Sequence, residues 1–248
     1  MRTRLPTSSR ARARFRGWPR SLRPVNEVDA AELGEFAWRV LLDRGAAADA
    51  VATAVSGAPA GLEEISALAQ VCRGVPESSL AGLVAEPLDG GGSGTAGSPA
   101  AGRLAAGRLA AGRLAAGSLA RSVAAELDGA NTSLTRRQRE ILALRELFGL
   151  SYEEISDVMG LEAEAVCAML ARARLAFRAK LRGVVRGEEG CVDHDQALQV
   201  LARGLDREPV PEDDVNWLFA HIAGCESCQR AHSEMHEASV VYRAWVWR

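Results

Sequence analysis

Lysine is almost absent: Lys180 is the only one, against 29 arginines in 248 residues. With the excess of alanine and glycine, this bias reflects a GC-rich coding sequence more than a binding function. Aromatic residues make up only 5%, so a core has to be assembled mainly from Leu, Ile, Val and Ala. No apolar run approaches the roughly 20 residues of a membrane-spanning helix, so no membrane contact is expected. Five cysteines are too few to staple a chain of this length. Their spacing points instead to a reducing, cytoplasmic setting and a metal site. No nucleophile–base pair, phosphate-binding glycine loop or paired-carboxylate motif occurs, and no enzymatic activity is expected.

The net charge of −2 hides strong segregation. Residues 1–24 carry eight Arg and no acid. They lack the apolar stretch of about 7–15 residues that a secretory signal needs, and read as a disordered basic tail. Residues 25–84 carry a net −6, 85–130 balance, 131–186 carry +3 and 187–248 carry −7. A basic segment therefore lies between two acidic ones.

Composition also marks a linker. Residues 85–99 are rich in Gly, Ser and Pro, and AAGRL then recurs at 100–104, 105–109 and 110–114 before AAGSL at 115–119. A period of five steps successive Leu by about 140° around a helix, so Leu104, Leu109, Leu114 and Leu119 cannot form one stripe. Residues 85–120 are expected to be flexible. Before them, residues 25–84 form a small helical unit. Leu33, Phe36, Ala37, Val40 and Leu41 recur at helical spacing. Gly45 should break that helix, with a second over Ala46–Ser56 and a third over Leu62–Val71.

Residues 121–186 read as a helix-turn-helix. Ser133 or Thr135 can cap a helix bearing Ile141, Leu142, Leu144 and Leu147, which Gly149 ends. Ser151 and Glu154 form a capping box for a second helix, with Ile155 and Val158 inward. Gly160 supplies the sharp turn, Leu161 plugs the angle, and a long helix follows from Glu162.

Leu134-Thr135-x-x-Gln138-Arg139-Glu140, Gly149-Leu150-Ser151-Tyr152-x-Glu154-Ile155, Gly160-Leu161 and Arg172-Ala173-Arg174 resemble region four of extracytoplasmic-function sigma factors, in the sigma-70 family. The resemblance implies a domain that reads promoter DNA and touches RNA polymerase core. In that family Thr-Val-Lys/Arg-Ser-Arg enters the major groove; here those positions are Ala165, Val166, Cys167, Ala168 and Met169. They lack the side chains that read base edges. Phosphate contacts then fall to Arg136, Arg137 and Arg139 on the first helix and to Arg172, Arg174 and Arg178 on the last. Phe36-Ala37-x-x-Val40 and Ala48-Asp49-Ala50-Val51 resemble a truncated sigma region two, without its aromatic, basic melting helix.

Residues 187–248 hold a zinc-like constellation. His221-x-x-x-Cys225-x-x-Cys228 can converge three ligands on a tetrahedral ion, and Zn2+ suits mixed nitrogen and sulfur donors. A fourth ligand must come from elsewhere. The pattern resembles the zinc-binding anti-sigma domain, whose L-x-x-x-L-D-G-E-like helix end corresponds to Leu201–Glu208. That resemblance puts His194 in the first-ligand place, with Cys191 as the alternative. It also implies that the acidic segment covers the basic one in cis, or binds another sigma or anti-sigma protein. Cys72 and Cys167 stand alone and are expected to be buried small apolar residues. The C-terminal VVYRAWVWR is expected to pack on the zinc helices or on a partner. The whole reads as all-α.

Overall fold

The computed structural model describes residues 28–56, 61–77, 122–184 and 190–245. The basic tail, the linker with its repeat and Trp247 lie outside these residues. All regular structure among the described residues is helical, as expected. The helices are α1 (Ala30–Leu41), α2 (Arg44–Val55), α3 (Leu62–Gly74), α4 (122–132), α5 (Arg136–Glu146), α6 (Tyr152–Met159), α7 (Ala163–Leu181), α8 (His194–Asp206), α9 (Glu212–Ile222) and α10 (Glu226–Ala244). No helix among them is long and apolar enough to cross a membrane.

Caps explain most boundaries. Asp29 and Glu32 form a reciprocal capping box at the start of α1. The break after α1 does not fall at Gly45, which lies in the first turn of α2. It falls at Leu42, left-handed with φ 64°, whose N–H donates to the Trp38 carbonyl at 2.7 Å. Asp43 then caps α2 by accepting from the Ala46 N–H at 2.6 Å. The side-chain cap outweighed the permissive glycine. Helix α3 runs three residues past Val71, which brings Cys72 into the core. Helix α4 is unmarked in the sequence reading.

Thr135, not Ser133, caps α5, in a box with Gln138. Ser133 instead donates to the Ala130 carbonyl at 2.7 Å and closes α4. The Ser151–Glu154 box starts α6 as expected. Gly160 ends it at φ 63° and donates to the Ser156 carbonyl, a conformation that a Cβ would strain. These features set α7 at its angle to α6, with Leu161 half-buried between them.

One continuous apolar core runs through all three sequence segments. Helix α1 packs on α2, α3 and α5, whereas α7 packs on α5, α6, α8 and α10. Ile155 and Val158 are buried as expected, and so are Cys72 and Cys167.

A buried ionic network joins the segments. Arg174 on α7 is 1% exposed. Its Nη2 lies 2.6 Å from Glu146 Oε1 on α5 and 2.7 Å from Asp206 Oδ1 at the end of α8. The Tyr152 hydroxyl donates to Asp206 Oδ2 at 2.7 Å, and Ser239 on α10 donates to Glu146 at 2.8 Å. Arg145 pairs with Asp206 and Glu208, and Arg243 with Glu146. Burial alone would raise the Asp206 pKa. Arg174 and Arg145 overcome it and hold the carboxyl below its ordinary 3.8.

Losing one partner leaves a buried charge uncompensated, so Asp206→Ala should cost about 3–5 kcal/mol in urea unfolding. The sign with pH follows from the lowered pKa. The Asp206 contribution is present above the ordinary carboxylate range and is lost as pH falls through the lower folded-state value. Asp206→Asn should therefore be less stable than the parent at neutral pH, with the difference shrinking in acid. A difference independent of pH would contradict this.

Candidate metal centre and nucleic-acid interface

The turn before α8 carries Cys191, the end of α9 carries His221, and Cys225 and Cys228 lie at the start of α10. Their donor atoms all lie within 4.8 Å of one another. Cys191 Sγ is 3.3 Å from His221 Nε2 and 3.6 Å from Cys228 Sγ, and His221 Nε2 is 3.4 Å from Cys228 Sγ. Around a tetrahedral Zn2+ with Zn–S about 2.3 Å and Zn–N about 2.0–2.1 Å, such atoms sit about 3.5–3.8 Å apart. The donor set and spacing therefore fit a zinc ion.

Cys191 completes this quartet, while His194 lies outside it. The His194 ring sits on the first residue of α8, with Nδ1 3.5 Å from Cys228 Sγ. Its ring packs so closely on Gly190 that a Cβ there would come within 2.9 Å of Cγ. A residue in the turn reaches the donor cluster, whereas one already on the helix lies beside it. Trp217, one turn before His221, stacks on the imidazole at 5.2 Å. Asp193 Oδ2 lies 3.8 Å from His221 Nδ1 and favours presentation of Nε2 to the sulfurs. The Ser227 hydroxyl and the Cys228 N–H pull the Cys225 thiol down to about 6, whereas burial pushes Cys228 up to about 12. A bound dication would hold both as thiolates.

The expected phosphate contacts are not gathered on one open face. Arg137 is exposed on α5. Arg136 donates to the carbonyls of Cys72 and Val75. Arg139 is buried, donating to Val40 at 2.9 Å and to Leu134 at 2.6 Å; burial and Arg136 lower its pKa. On α7, Ala165 is exposed, Ala168 and Met169 are half-buried, and Cys167 is buried against α8 with Sγ 3.4 Å from the Gln199 carbonyl. Arg172 is exposed but lies 3.4 Å from Asp195, Arg174 sits in the buried network, and Arg178 pairs with Glu237. Arg182 pairs with Glu234.

The role of the Leu201–Glu208 motif is visible here. Arg207 is left-handed at φ 61°, which turns the chain so that Glu208 accepts from the Tyr152 N–H at the start of α6. In the sequence Asp206 and Glu208 stand out only as part of the Leu201–Glu208 pattern. Tyr152 belongs to the region-four motif, but its pairing with Asp206, like that of Arg145 and Glu146, carries no signal in the sequence because these groups meet only across the fold. Asp193 and Trp217 could have been found by their spacing to Cys191 and His221.

A family model described as Sigma-70, region 4 matches residues 125–177. The match spans most of α4, all of α5 and α6 and most of α7, and it supports a sigma-factor-like DNA-binding role, regulatory rather than catalytic. No curated protein and no solved structure shows significant similarity to the chain.

The ligand assignment is open to a direct comparison. Cys191→Ser should lose tight Zn2+ binding, measured by elemental analysis and chelator competition under reductant. His194→Ala should keep about one ion per chain. The reverse pattern would restore His194 to the quartet.

Proposed function

We propose that the protein is a cytoplasmic, sigma-factor-like transcription regulator. It meets promoter DNA and RNA polymerase core through α4–α7, and its C-terminal helices, held by Zn2+ on Cys191, His221, Cys225 and Cys228, control that meeting. One observation carries the reading: the sigma region 4 match falls on the residues that form the capped helix-turn-helix with its left-handed Gly160. Zinc would cross-link the turn before α8, the end of α9 and the start of α10. Its role in this reading is structural, since four protein donors leave no open position.

Charge pairing supports control in cis. Arg172, Arg174, Arg178 and Arg182 on or just after α7 face Asp195, Asp206, Glu237 and Glu234 of the acidic segment. A phosphate backbone approaching α7 would compete with these carboxylates. The segments flanking 185–189 are joined by a short stretch, so local concentration favours the docked form.

A second reading is a DNA-binding regulator, or a sigma or anti-sigma interaction protein, that does not load polymerase. It is favoured by the absence of a cation among Ala165, Cys167, Ala168 and Met169 and by the burial of Cys167. Transcription from a selected promoter pool with core polymerase separates the two.

The cis pairing predicts a specific gain. In the triple variant Asp195→Asn, Glu234→Gln, Glu237→Gln, the exposed Arg172 and Arg182 and the half-buried Arg178 lose their acidic partners. Duplex DNA affinity should rise. The slope of log K against log salt should steepen by about 0.9 for each phosphate newly engaged. An unchanged slope and affinity would remove the pairing from the mechanism.

A further inference from the structure

Arg39 on α1 is 1% exposed, and apart from Glu35 one turn back its partners come from the other end of the chain. Nε donates to Glu35 at 2.9 Å. Nη1 donates to the Tyr242 carbonyl at 2.9 Å and Nη2 to the Trp245 carbonyl. The guanidinium carbon lies 4.5 Å from the centroid of each of the Tyr242 and Trp245 rings. Trp38 meets Trp245 edge-on at 5.1 Å. The last carbonyls of a helix have no partner within it and carry its negative dipole end. Arg39 thus caps α10 across a sequence separation of more than 200 residues.

The opposite end of the same contact is also held. Asn131 donates to the Arg39 carbonyl and Arg139 to the Val40 carbonyl, each at 2.9 Å. Helix α1 is gripped between the end of α10 and the start of the helix-turn-helix. Helix α3 follows it onto α5, where Arg73 pairs with buried Glu140 and Arg136 caps α3 through the Cys72 and Val75 carbonyls. Covalently, α3 reaches α4 only through residues 78–121.

We propose that the Tyr242–Trp245 end of α10 is a latch on Arg39 that keeps α1–α3 seated on α5, and that its release uncovers Arg136 and Arg139. The last step rests on reading α4–α7 as a DNA-binding unit; the latch itself does not. Loss of the C-terminal grip takes away two carbonyl acceptors and both rings and leaves the buried guanidinium with Glu35. Opening then exchanges backbone carbonyls for water, or for phosphate, at Arg136 and Arg139.

Two buried thiols report separately on the two sides of the helix-turn-helix. Cys72, 0% exposed, lies where α3 meets α5, and burial holds its thiol at about 12. Cys167, also 0% exposed, lies between α7 and α8. Alkylation of the full, zinc-loaded chain with iodoacetamide, mapped by peptide mass spectrometry, reads both. In Trp245→Ala and in Arg39→Gln, Cys72 should label roughly tenfold faster or more, and no faster still in the double variant. Cys167 should stay at its parent rate, and affinity for random-sequence duplex DNA should rise. Unchanged Cys72 labelling would overturn the latch. So would equal acceleration of Cys72 and Cys167, which would mean general loosening. Faster Cys72 labelling with unchanged DNA affinity would support the latch and overturn the DNA role of Arg136 and Arg139.

Discussion

Arg174 decides how the helix-turn-helix sits in this protein. A guanidinium almost wholly removed from water is tolerable only with its charge balanced and its donors met. Glu146 from α5 and Asp206 from α8 do both, and Ser239 and Tyr152 fill acceptor positions that remain. Four helices besides α7 thereby contribute to one cluster. None can be withdrawn without leaving an unpaired group, so the geometry of α7 against α8 and α10 is fixed by electrostatics as well as by packing. The apolar core alone, built largely of Ala, Leu, Val and Ile, would specify those crossings less sharply.

This cluster also spends a cation that the sequence sets aside for phosphate. The same happens along α5, where Arg136 and Arg139 hold backbone carbonyls of α1 and α3. Arginine suits both tasks, since its planar fork satisfies carbonyls and carboxylates as readily as phosphates. The +3 of the central segment therefore does not stand as an open patch. It is answered from the C-terminal side by carboxylates and from the N-terminal side by helix ends.

The metal quartet stands at the opposite end of α8 from Asp206 and at the opposite end of α10 from the Arg39 cage. Each of these helices carries thiol and imidazole donors that could hold a metal ion at one end and is held at the other by arginine. Helix α9 has only Leu218 buried and contributes His221 more than core.

Local features were legible from the sequence because they depend on neighbours within one turn. The Ser151–Glu154 box, the Gly160 turn, the inward faces of α1 and α6 and the His221-x-x-x-Cys225-x-x-Cys228 spacing belong here. At the start of α2 two local signals compete, and the Asp43 side-chain cap outweighs the permissive Gly45. What required the tertiary structure was the identity of each long-range partner. Whether Cys191 or His194 reaches the quartet depends on the turn before α8. Whether an arginine faces solvent or a carboxylate depends on which helix lies across it. Arg39 and Glu146 look like ordinary surface charges in sequence, because a one-dimensional pattern records spacing along a helix and not the distance between helices 200 residues apart. Caps, turns and ligand spacing are written in the chain itself; packing settled which charges meet, because burial makes pairing obligatory only where the fold excludes water.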